Sequence, residues 1–372
     1  MYINAPAVAP DSVEVQYSLQ QETGFTDGER RYVPVYPKGV EETTGQFLSL
    51  FTDTTFTLTF DPSKGPVRLH AQGDLLPVML DEIDYLHKYE YWCSEQAASK
   101  LIALLLEKRI REKTGQPFAH DRMVRKLIRH LEKTQLKEGA WTWWQNGPAY
   151  AWITNHVVEA LVMAKKESYP VRYEGQKLVD YMVYLLERGD YNDKLTSLEV
   201  LYKLQVDVDF TRYVKELEKK KTQTLDEKLR LIRMRQRLQL PVQLDTLQKY
   251  KKETMFGGIY WGEKKHSLFN NSISNTLLAY EILRAAGSNA QQLSQIQAYL
   301  LNERRAGHWR NTYESARVLE TLLPELLQDT PNTSNLPMNN LSFSGPVNFM
   351  SKATVTDTVF VATQPLVVKK AG

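Results

Sequence analysis

The sequence contains a single cysteine, Cys93, among 372 residues. One cysteine excludes a disulfide framework and every metal site that needs several cysteine ligands. Two interpretations of Cys93 stay open: a small buried hydrophobic residue, or a reactive sulfur.

A charge excess of one sign and long apolar runs are also missing. The 47 Lys and Arg residues against 44 Asp and Glu residues leave a net charge of +3, which argues against a nucleic-acid groove and a polybasic membrane arm. The longest apolar run, residues 101–106, is far below the ~18 residues of a membrane helix and predicts a buried turn or two of helix. Residues 1–10 lack the charged start and apolar stretch of a signal peptide. We therefore expect no nucleic-acid partner and no membrane insertion by this chain, which is either not exported or a piece of a longer chain.

The hydrophobic period changes twice along the chain. Before about residue 75, apolar and polar residues alternate, which predicts antiparallel strands with one buried face. From about Asp81 to residue 328, apolar residues recur at every third or fourth position, which predicts roughly eleven helices and no strand. A polar linker at 329–335 follows, and the alternation then returns. The predicted strands lie at 13–17, 55–60, 67–71, 341–343, 355–361 and 366–368, with turns at 26–28 and 61–66.

The final ~38 residues are too few to form a stable sheet domain alone. We therefore predict a mainly α protein in which a helical domain is inserted into one antiparallel β-sandwich, formed by the N- and C-terminal segments. The predicted domains are an N-terminal β segment at 1–78, the helical domain at 79–328 and a C-terminal β segment at 329–372.

Three parts of the helical block share one pattern: a glycine, an aromatic residue, a short polar stretch, and a helix opened by Asn or Thr. The glycine permits a sharp turn, the indole fills the gap beside it, and Asn or Thr is expected to cap the next helix. Repeated units of this kind stack on one another, and glycine–aromatic turns favour a closed α/α toroid over the alternative of an open solenoid. The turns begin at Gly139, Gly257 and Gly307, and the expected caps lie at 154–155, 275–276 and 311–312.

Other polar residues of the helical block are given structural interpretations. The charged run at 215–221 and the charged helix at 226–235 are expected to be solvated faces. We expect His87 and His130 at the surface, and His156 and His308 packed against tryptophans.

Cys93 and Gln96 lie three residues apart where the first long helix begins, so their side chains share one helix face. The helix N-terminus is expected to favour the thiolate over the thiol. A cysteine held against a glutamine carboxamide can attack it and expel ammonia, leaving an internal thioester, because holding both groups in place supplies the entropic advantage that the reaction needs. Any amine or hydroxyl that reaches the thioester is then acylated at Gln96, and the Cys93 thiol leaves.

The Cys-x-Glu-Gln motif at 93–96 resembles the thioester motif of the alpha-2-macroglobulin and complement proteins. Residues 31–40 are similar to the approach to that family's CUB-type domain, and residues 154–161 to its second inner helix. Residues 260–262, followed by 271–276, resemble the bacterial branch in particular. The resemblance implies a terpenoid-cyclase-like α/α toroid, the thioester domain, inserted into a CUB-type β-sandwich, in agreement with the β–α–β organisation above.

The resemblance also implies a function. The chain would be the thioester-bearing fragment of a bacterial alpha-2-macroglobulin-like protein, which inhibits proteases by a single covalent capture and is not a turnover enzyme. Its partners would be target proteases or other amine-bearing surfaces, together with the remaining macroglobulin domains of a longer chain. The resemblance further implies a location outside the cytoplasm, in the periplasm, with the whole protein often lipid-anchored, and it implies no cofactor and no metal.

Two residues before the cysteine depart from the family pattern. The family commonly has Pro and Gly where this chain has Glu90 and Trp92. Trp92, together with Tyr89 and Tyr91, is expected to shield the sulfur from water. Glu95 is expected either to support the chemistry or to act as an ordinary acid of the first helical turn.

The histidine pattern is a further departure. Complement-type members place a histidine well after the cysteine, where it directs transfer to hydroxyl groups. Here no histidine occurs from Val157 to Lys265, and His156 comes too early. We therefore expect direct attack by amines such as lysine side chains.

Functions of two other classes stay open. One is an enzyme on an α/α toroid: a carbohydrate-active enzyme with two carboxylates across a cleft, or a cysteine hydrolase with a histidine near Cys93. No carboxylate pair stands out. Terpene cyclases and prenyltransferases share the toroid architecture, but their acidic motif is absent, and Asp207 with Asp209 is only a weak match to it. The other is a binding module with an unreactive thioester site. Turnover that survives Cys93→Ala would favour the enzymes that do not use Cys93, whereas a mass deficit of one ammonia at Cys93 and Gln96 would favour the covalent trap.

Overall fold

The structure is a computed structural model, and the chain divides into two compact units, Met1–Phe47 and Leu48–Gly372. Ten strands and twelve helices lie within the described residues. The described residues are 12–34, 54–72, 75–144, 147–254, 257–304, 307–328, 340–346, 349–351, 355–361 and 363–371. The strands are β1 (Ser12–Gln20), β2 (Thr26–Pro34), β3 (Thr54–Leu58), β4 (Val67–Gln72), β5 (Lys251–Glu253), β6 (Ile259–Trp261), β7 (Asn340–Ser344), β8 (Phe349–Ser351), β9 (Val355–Phe360) and β10 (Leu366–Ala371). The helices are α1 (Leu75–Lys88), α2 (Ser94–Lys113), α3 (Asp121–Lys133), α4 (Ala151–Lys166), α5 (Gly175–Arg188), α6 (Tyr191–Lys203), α7 (Phe210–Glu218), α8 (Leu225–Arg237), α9 (Asp245–Tyr250), α10 (Ser272–Ala285), α11 (Ala290–Asn302) and α12 (Thr312–Gln328).

The described part of the first unit is a β-hairpin. Strands β1 and β2 pair antiparallel, with Ser12 opposite Pro34 and Gln20 opposite Thr26. The alternation at 13–17 therefore predicted a strand correctly. The turn expected at 26–28 is wrong, because these residues begin β2 and the chain reverses at 21–25, where Gly24 has a positive φ of 87°.

In the second unit, strands from before and after the helical block form common sheets. Strand β3 pairs with β10 in a four-stranded sheet of order β3–β10–β7–β8, and β4 pairs with β9. Phe343, Leu366 and Val368 form a small buried core. Side chains of both sheets pack against that core: Phe56, Leu58, Phe60, Leu69, Ala71, Leu341 and Phe360. The N-terminal and C-terminal strands thus depend on each other, while the linker predicted at 329–335 lies outside the described residues.

The helical block begins earlier than the sequence period indicated. Helix α1 starts at Leu75, six residues before Asp81, and twelve helices are described where about eleven were expected. Strands β5 and β6 form a short antiparallel pair inside the block, where no strand was expected. Strands of three residues are too short to show a period of two in the sequence. In the described part of the chain, none of the helices is long and apolar enough to span a membrane.

The even-numbered helices contact one another in chain order, from α2 through α4, α6, α8 and α10 to α12, and α12 in turn contacts α2. Helices α1, α3, α5, α7 and α11 each contact one or two of this even-numbered set. The apolar residues of α3, for example, lie at three- and four-residue spacing and are buried on one face. The run at 101–106 is fully buried within α2, as predicted.

The tryptophans of the glycine–aromatic turns hydrogen-bond to the neighbouring helices. In each of the three turns the indole Nε1–H donates to a backbone carbonyl of the preceding helix, and in two of them the tryptophan backbone N–H donates to a threonine hydroxyl of the following helix. The indole bonds are Trp141 to Leu131 (2.7 Å), Trp261 to Leu247 (2.7 Å) and Trp309 to Leu300 (2.8 Å), and the backbone bonds are Trp141 to Thr154 (3.0 Å) and Trp261 to Thr276 (2.9 Å).

Two of the three expected helix caps are corrected by this geometry. Thr154 and Thr276 lie inside α4 and α10, whose N-cap residues are Tyr150 and Asn271. Their hydroxyls accept hydrogen bonds from the tryptophan turns. The threonines of the sequence pattern therefore bind the preceding turn and do not cap the helix. At the third turn, Asn311 accepts the backbone N–H of Glu314 as a cap does.

Candidate functional site

Cys93 is the N-cap of α2, and Gln96 is the third residue of that helix. The Cys93 backbone N–H donates to Gln96 Oε1 at 3.2 Å, and the Gln96 backbone N–H donates to Cys93 Sγ at 3.5 Å. This is a capping box, a motif in which Ser or Thr usually occupies the position of the cysteine. The same bonds that begin the helix therefore hold the sulfur and the carboxamide at one helix end.

The arrangement has a chemical consequence for the Gln96 carboxamide. A nucleophile that adds to its carbonyl carbon places negative charge on Oε1, and the Cys93 N–H already donates to that atom. Donors that are in place before the reaction stabilise such an oxyanion without reorganisation. The carboxamide is thus held and polarised at the same helix end as the Cys93 sulfur.

The sulfur itself is deeply buried, with 3% of the residue exposed. Burial raises the pKa of the Cys93 thiol to about 11, and the charge of Glu95 acts in the same direction. The backbone N–H groups of Glu95 and Gln96 act in the opposite direction but do not compensate. The helix N-terminus favours the thiolate as expected, but loss of water around the sulfur outweighs its N–H groups and leaves the pKa of Cys93 raised.

Glu95 points into the helical core and is buried. Ser99 Oγ donates to its Oε1 at 2.8 Å, and the Thr312 hydroxyl lies 2.9 and 3.0 Å from its two carboxylate oxygens. Burial raises the pKa of Glu95, while both hydroxyls oppose that change. Glu95 is thus a fixed carboxylate that connects α2 to the start of α12.

A cavity of about 190 Å³ lies beside Glu95 and Gln96; we call it the thioester pocket. Four aromatic side chains form much of its wall, and the start of α12 completes it. The four aromatic residues are Tyr85, Tyr89, Trp143 and Trp152, and a fifth, Tyr313, belongs to the start of α12. A pocket of this size with aromatic walls admits a slender group.

The three residues expected to shield the sulfur have different positions. Tyr89 lines the thioester pocket, whereas Tyr91 is 55% exposed and meets the Tyr89 ring edge-on at 6.0 Å. Trp92 packs between α2 and α3, with the Lys100 and Lys126 ammonium groups 5.0 and 4.7 Å from its ring centre. Among the described residues, only Tyr89 of the three contributes to the lining of this pocket.

The histidines do not reach the thioester pocket, since no histidine belongs to its lining among the described residues. The His156 ring meets Tyr313 at 4.9 Å, and the His308 ring stacks on Tyr85 at 3.9 Å, where tryptophans were expected. His308 Nδ1 also lies 3.0 Å from the buried carboxylate of Glu82. His130 is half-buried and its Nε2 lies 2.9 Å from the Trp92 carbonyl oxygen, so it is not the plain surface residue expected.

A second, larger cavity of about 800 Å³ lies among the even-numbered helices; we call it the central cavity. Charged side chains from five of those helices line it and pair with one another. They include Glu159, Glu199, Lys203, Asp226, Arg230, Arg233, Arg237, Glu281, Arg317 and Glu320. The helix at 226–235, expected to be a solvated face, is in fact the part of α8 that supplies three of these residues.

Two arginines bridge several carboxylates in this network. Arg233 lies 2.8 Å from both Glu199 and Glu281. Arg317 pairs with Glu159 at 3.3 Å, with Glu281 at 3.1 Å and with Glu320 at 2.5 Å. Burial, and then the neighbouring Glu159, raise the pKa of Glu320 to about 8. Burial alone would raise the pKa of Glu159 as well, but Lys203 and Arg317 hold it well below its usual value.

The sequence matches no protein-family model and no curated protein. Solved structures match the fold over nearly the whole chain. Native alpha-2-macroglobulin of Escherichia coli, from domain MG7 to the C-terminus, aligns with a TM-score of 0.55 and 15% identity over 98% of this chain and 61% of that one. Salmonella alpha-2-macroglobulin reacted with methylamine aligns with a TM-score of 0.56 and 15% identity over 96% of this chain and 25% of that one. Escherichia coli alpha-2-macroglobulin activated by porcine elastase aligns with a TM-score of 0.51 and 17% identity over 98% of this chain and 35% of that one.

This chain spans less than two thirds of the length of each of these structures. At 15–17% identity the likeness is one of fold. It agrees with the resemblance that the sequence carries in residues 93–96. The chain thus has the fold of the C-terminal region of bacterial alpha-2-macroglobulins.

Proposed function

We propose that Cys93 and Gln96 form an internal thioester that is attacked by amines. In its formation the Cys93 sulfur bonds to Gln96 Cδ, the bond from Cδ to Nε2 breaks, and the nitrogen leaves as ammonia with the thiol proton. In its use, an amine nitrogen bonds to Cδ, the bond to sulfur breaks, and the Cys93 thiol is regenerated. Each chain reacts once, so the protein is a covalent trap and not a turnover enzyme.

One observation carries this proposal: the capping box at the start of α2 holds Sγ and the carboxamide on the same helix end, with the Cys93 N–H on Oε1. Placing both reactants in one geometry is the main requirement of such a reaction. Burial of the Cys93 sulfur, with 3% of the residue exposed, supports it further. A thiol with a raised pKa is also a slow leaving group, which favours a thioester that persists until an amine enters.

The thioester pocket favours direct attack by primary amines. Its volume of about 190 Å³ suits methylamine or the end of a lysine side chain. In complement-type members a histidine directs transfer to hydroxyl groups, and the described lining of this pocket has none. Lysine side chains of a captured protein are therefore the proposed acceptors.

The finer architecture belongs to the same proposal. The cyclic order of contacts from α2 to α12 and back supports an α/α toroid of the thioester-domain type. The pairing of β3 and β4 with strands from beyond the helices supports a CUB-type β-sandwich into which that toroid is inserted. In a carbohydrate-active toroid two carboxylates would face each other across a cleft; Glu159 and Glu320 instead share Arg317, which lies 3.3 and 2.5 Å from them.

For the whole protein we propose the function of a bacterial alpha-2-macroglobulin-like protease inhibitor in the periplasm. The fold neighbours include one protein reacted with methylamine and one activated by elastase, which supports protease capture through an amine-reactive group. The remaining macroglobulin domains would belong to a longer chain.

Methylamine labelling tests the proposed thioester. We expect one methylamine to be incorporated at Gln96 and one thiol to appear at Cys93. Cys93→Ser is a matched control, because serine keeps the N-cap bond but leaves no thioester to label. An unmodified Gln96, with Cys93 open to thiol reagents before methylamine is added, would contradict the proposal.

Protease capture is tested with a lysine-bearing protease and the same control. We expect the chain to form an adduct with the protease that survives denaturing electrophoresis, and Cys93→Ser to form none. Equal adduct from both proteins would show that the linkage does not involve Cys93.

A further inference from the structure

Glu95 is a buried acidic side chain to which no cation of the described residues is paired. Its carboxylate accepts from two neutral hydroxyls, that of Ser99 at 2.8 Å and that of Thr312 at 2.9 and 3.0 Å. Glu199, which is equally buried, pairs instead with two arginines of α8. A buried charge is costly unless an opposite charge compensates it, so the Glu95 carboxylate can take up a cation from outside the protein.

The thioester pocket reaches this carboxylate between aromatic rings. Five aromatic side chains line the pocket: Tyr85, Tyr89, Trp143, Trp152 and Tyr313. Three pairs of these rings meet nearly at right angles. The pairs are Tyr85 with Tyr89 (5.9 Å, 69°), Trp143 with Trp152 (5.3 Å, 78°) and Trp152 with Tyr313 (5.6 Å, 80°). Rings at such angles stand around a space instead of forming a stack, and their faces carry negative potential. Walls of this kind are typical of sites that bind alkylated ammonium ions.

Arg310 is the one cationic side chain in the described lining of the pocket, and its charge is compensated. Its guanidinium donates to the carbonyl oxygens of Lys265 and Ser267, at 2.6 Å each, and pairs with the buried Glu314. The negative charge of Glu95 is therefore not cancelled by Arg310. Arg310 is also exposed, so the pocket is open to solvent on this side and an amine can enter there.

We propose that the thioester pocket is a binding site for alkylammonium ions, in which Glu95 supplies the opposite charge and the aromatic rings surround the alkyl carbons. The proposal rests on the proposed thioester function and deepens it, because it assigns to the pocket the recognition of a lysine ammonium group beside Gln96. Hydroxyl groups carry no charge and gain nothing from such a site. The pocket thus selects amines before any bond is made.

Binding precedes the chemical step and does not replace it. The bound ammonium ion gives one proton to water in the open pocket, and its nitrogen then bonds to Gln96 Cδ. The bond from Cδ to the Cys93 sulfur breaks, and the sulfur takes the second proton of the amine. The site contributes by holding the side chain of the incoming lysine next to the acyl carbon, which raises its effective concentration there.

A quaternary ammonium ion separates recognition from reaction, because it has the charge and the methyl groups but no lone pair with which to attack. Tetramethylammonium is the probe, and tert-butanol, a neutral molecule of similar branched shape, is its control. We expect tetramethylammonium at ten times its dissociation constant to slow the labelling of Gln96 by dilute methylamine about tenfold, as competition for one site requires. Neither tert-butanol nor sodium chloride at the same ionic strength should slow it.

Substitutions in the pocket test the two parts of the site separately. Glu95→Gln removes the charge but keeps an oxygen for the two hydroxyls, and should weaken tetramethylammonium binding about tenfold or more, because a full charge contributes more than one ring. Tyr89→Leu should weaken it about fivefold, the magnitude of one cation–π contact, while Tyr89→Phe keeps the ring and most of the affinity. Tyr91→Leu is the matched control, because Tyr91 is exposed and outside the described lining.

Calorimetric titration of Cys93→Ser measures the site without the thioester, which this variant cannot form. We expect saturable binding of tetramethylammonium and none of tert-butanol. No saturable binding by either the parent or Cys93→Ser, or equal protection of Gln96 by tetramethylammonium and tert-butanol, would overturn the site. The intact mass of the parent separates the two proposals. Without a deficit of one ammonia the thioester fails and the titration still decides the site, whereas a deficit without any effect of tetramethylammonium rejects the site alone.

Discussion

Replacing Arg317 by methionine tests whether the charges of the central cavity hold the helices together. Arg317, on α12, pairs with carboxylates of α4 and α10 as well as with Glu320 of its own helix. Methionine fills similar space without charge and leaves the half-buried carboxylates of Glu159 and Glu281 without this cation. Removing one partner of a fully buried ion pair costs about 3–5 kcal/mol. Because Arg317 and these two carboxylates are 17–21% exposed, we expect a smaller loss of about 2–3 kcal/mol, still a large part of a free energy of unfolding of about 5–15 kcal/mol.

Urea unfolding followed by circular dichroism measures this loss, and Arg212→Met is the matched control. Arg212 also pairs with two carboxylates, those of Glu187 at 3.6 Å and Glu216 at 3.3 Å, but its side chain is half exposed. An exposed pair contributes at most about 1 kcal/mol, so the control should lose little. Equal losses in the two variants would refute the reasoning that burial makes the network costly to break.

The loss in Arg317→Met should also depend on pH. The arginine helps to hold the pKa of Glu159 and of Glu281 below the usual 4.5. A carboxyl with a lowered pKa stabilises the fold above its unfolded value, and this contribution is lost as the pH falls. The difference in free energy of unfolding between parent and variant should therefore be largest near neutral pH and should shrink as the pH falls through 4.5 and below. A difference that stays constant over this range would show that Arg317 acts through packing alone.

Three further substitutions test separate parts of the account. Cys93→Ala should lower the free energy of unfolding by about 1 kcal/mol while Cys93→Ser should not, because only serine keeps the helix cap; equal values by urea unfolding would show that the cap bond is not stabilising. Glu320→Gln should gain stability relative to the parent as the pH rises from 4.5 to about 8. Over that range the folded parent keeps a proton on Glu320 that its unfolded chain has lost, which destabilises the parent but not the variant. Thermal melts across the range check this, and parallel plots of melting temperature against pH would contradict it. Trp261→Phe should lower the free energy of unfolding by about 1–3 kcal/mol, since it removes the indole N–H that pairs with the Leu247 carbonyl in the core. Trp144→Phe, at a position 58% exposed, should lower it little. Similar losses in chemical denaturation would show that the indole hydrogen bonds do not stabilise the turns.

The local features of the site could be predicted from the sequence because they depend on spacing. Cys93 and Gln96 are close in sequence, and a helix start places residues three apart on one face. The glycine–tryptophan turns were visible for the same reason, as a repeated local pattern. The threonines in that pattern were misread as caps, since a sequence does not distinguish a hydroxyl that binds its own helix from one that binds a neighbouring turn.

The features that depend on contacts between distant helices could not be predicted. Tyr85, Trp152 and Tyr313 lie on three different helices and meet only at the thioester pocket. The contact of Glu95 with Thr312 joins residues 217 positions apart. Burial of the sulfur, which decides its pKa, is likewise set by these distant segments.

The charged face of α8 shows the same limit in another form. Arg230 and Arg233 look like solvated residues in a mixed-charge helix, and nothing in their own segment says otherwise. Their partner Glu199 lies on α6, and only the neighbouring helices make this face an interior one. A charged stripe on a helix therefore either faces solvent or faces the interior and pairs with charges there. Which of the two applies depends on the neighbouring helices.

Intact mass spectrometry of the untreated chain, with peptide mapping, tests the central claim most directly. The account predicts a mass lower than the sequence mass by one ammonia, a deficit located in the peptide that carries Cys93 and Gln96. It also predicts the loss of this deficit in Cys93→Ser. A parent chain of full sequence mass, with a free Cys93 thiol and an intact Gln96 carboxamide, would contradict it.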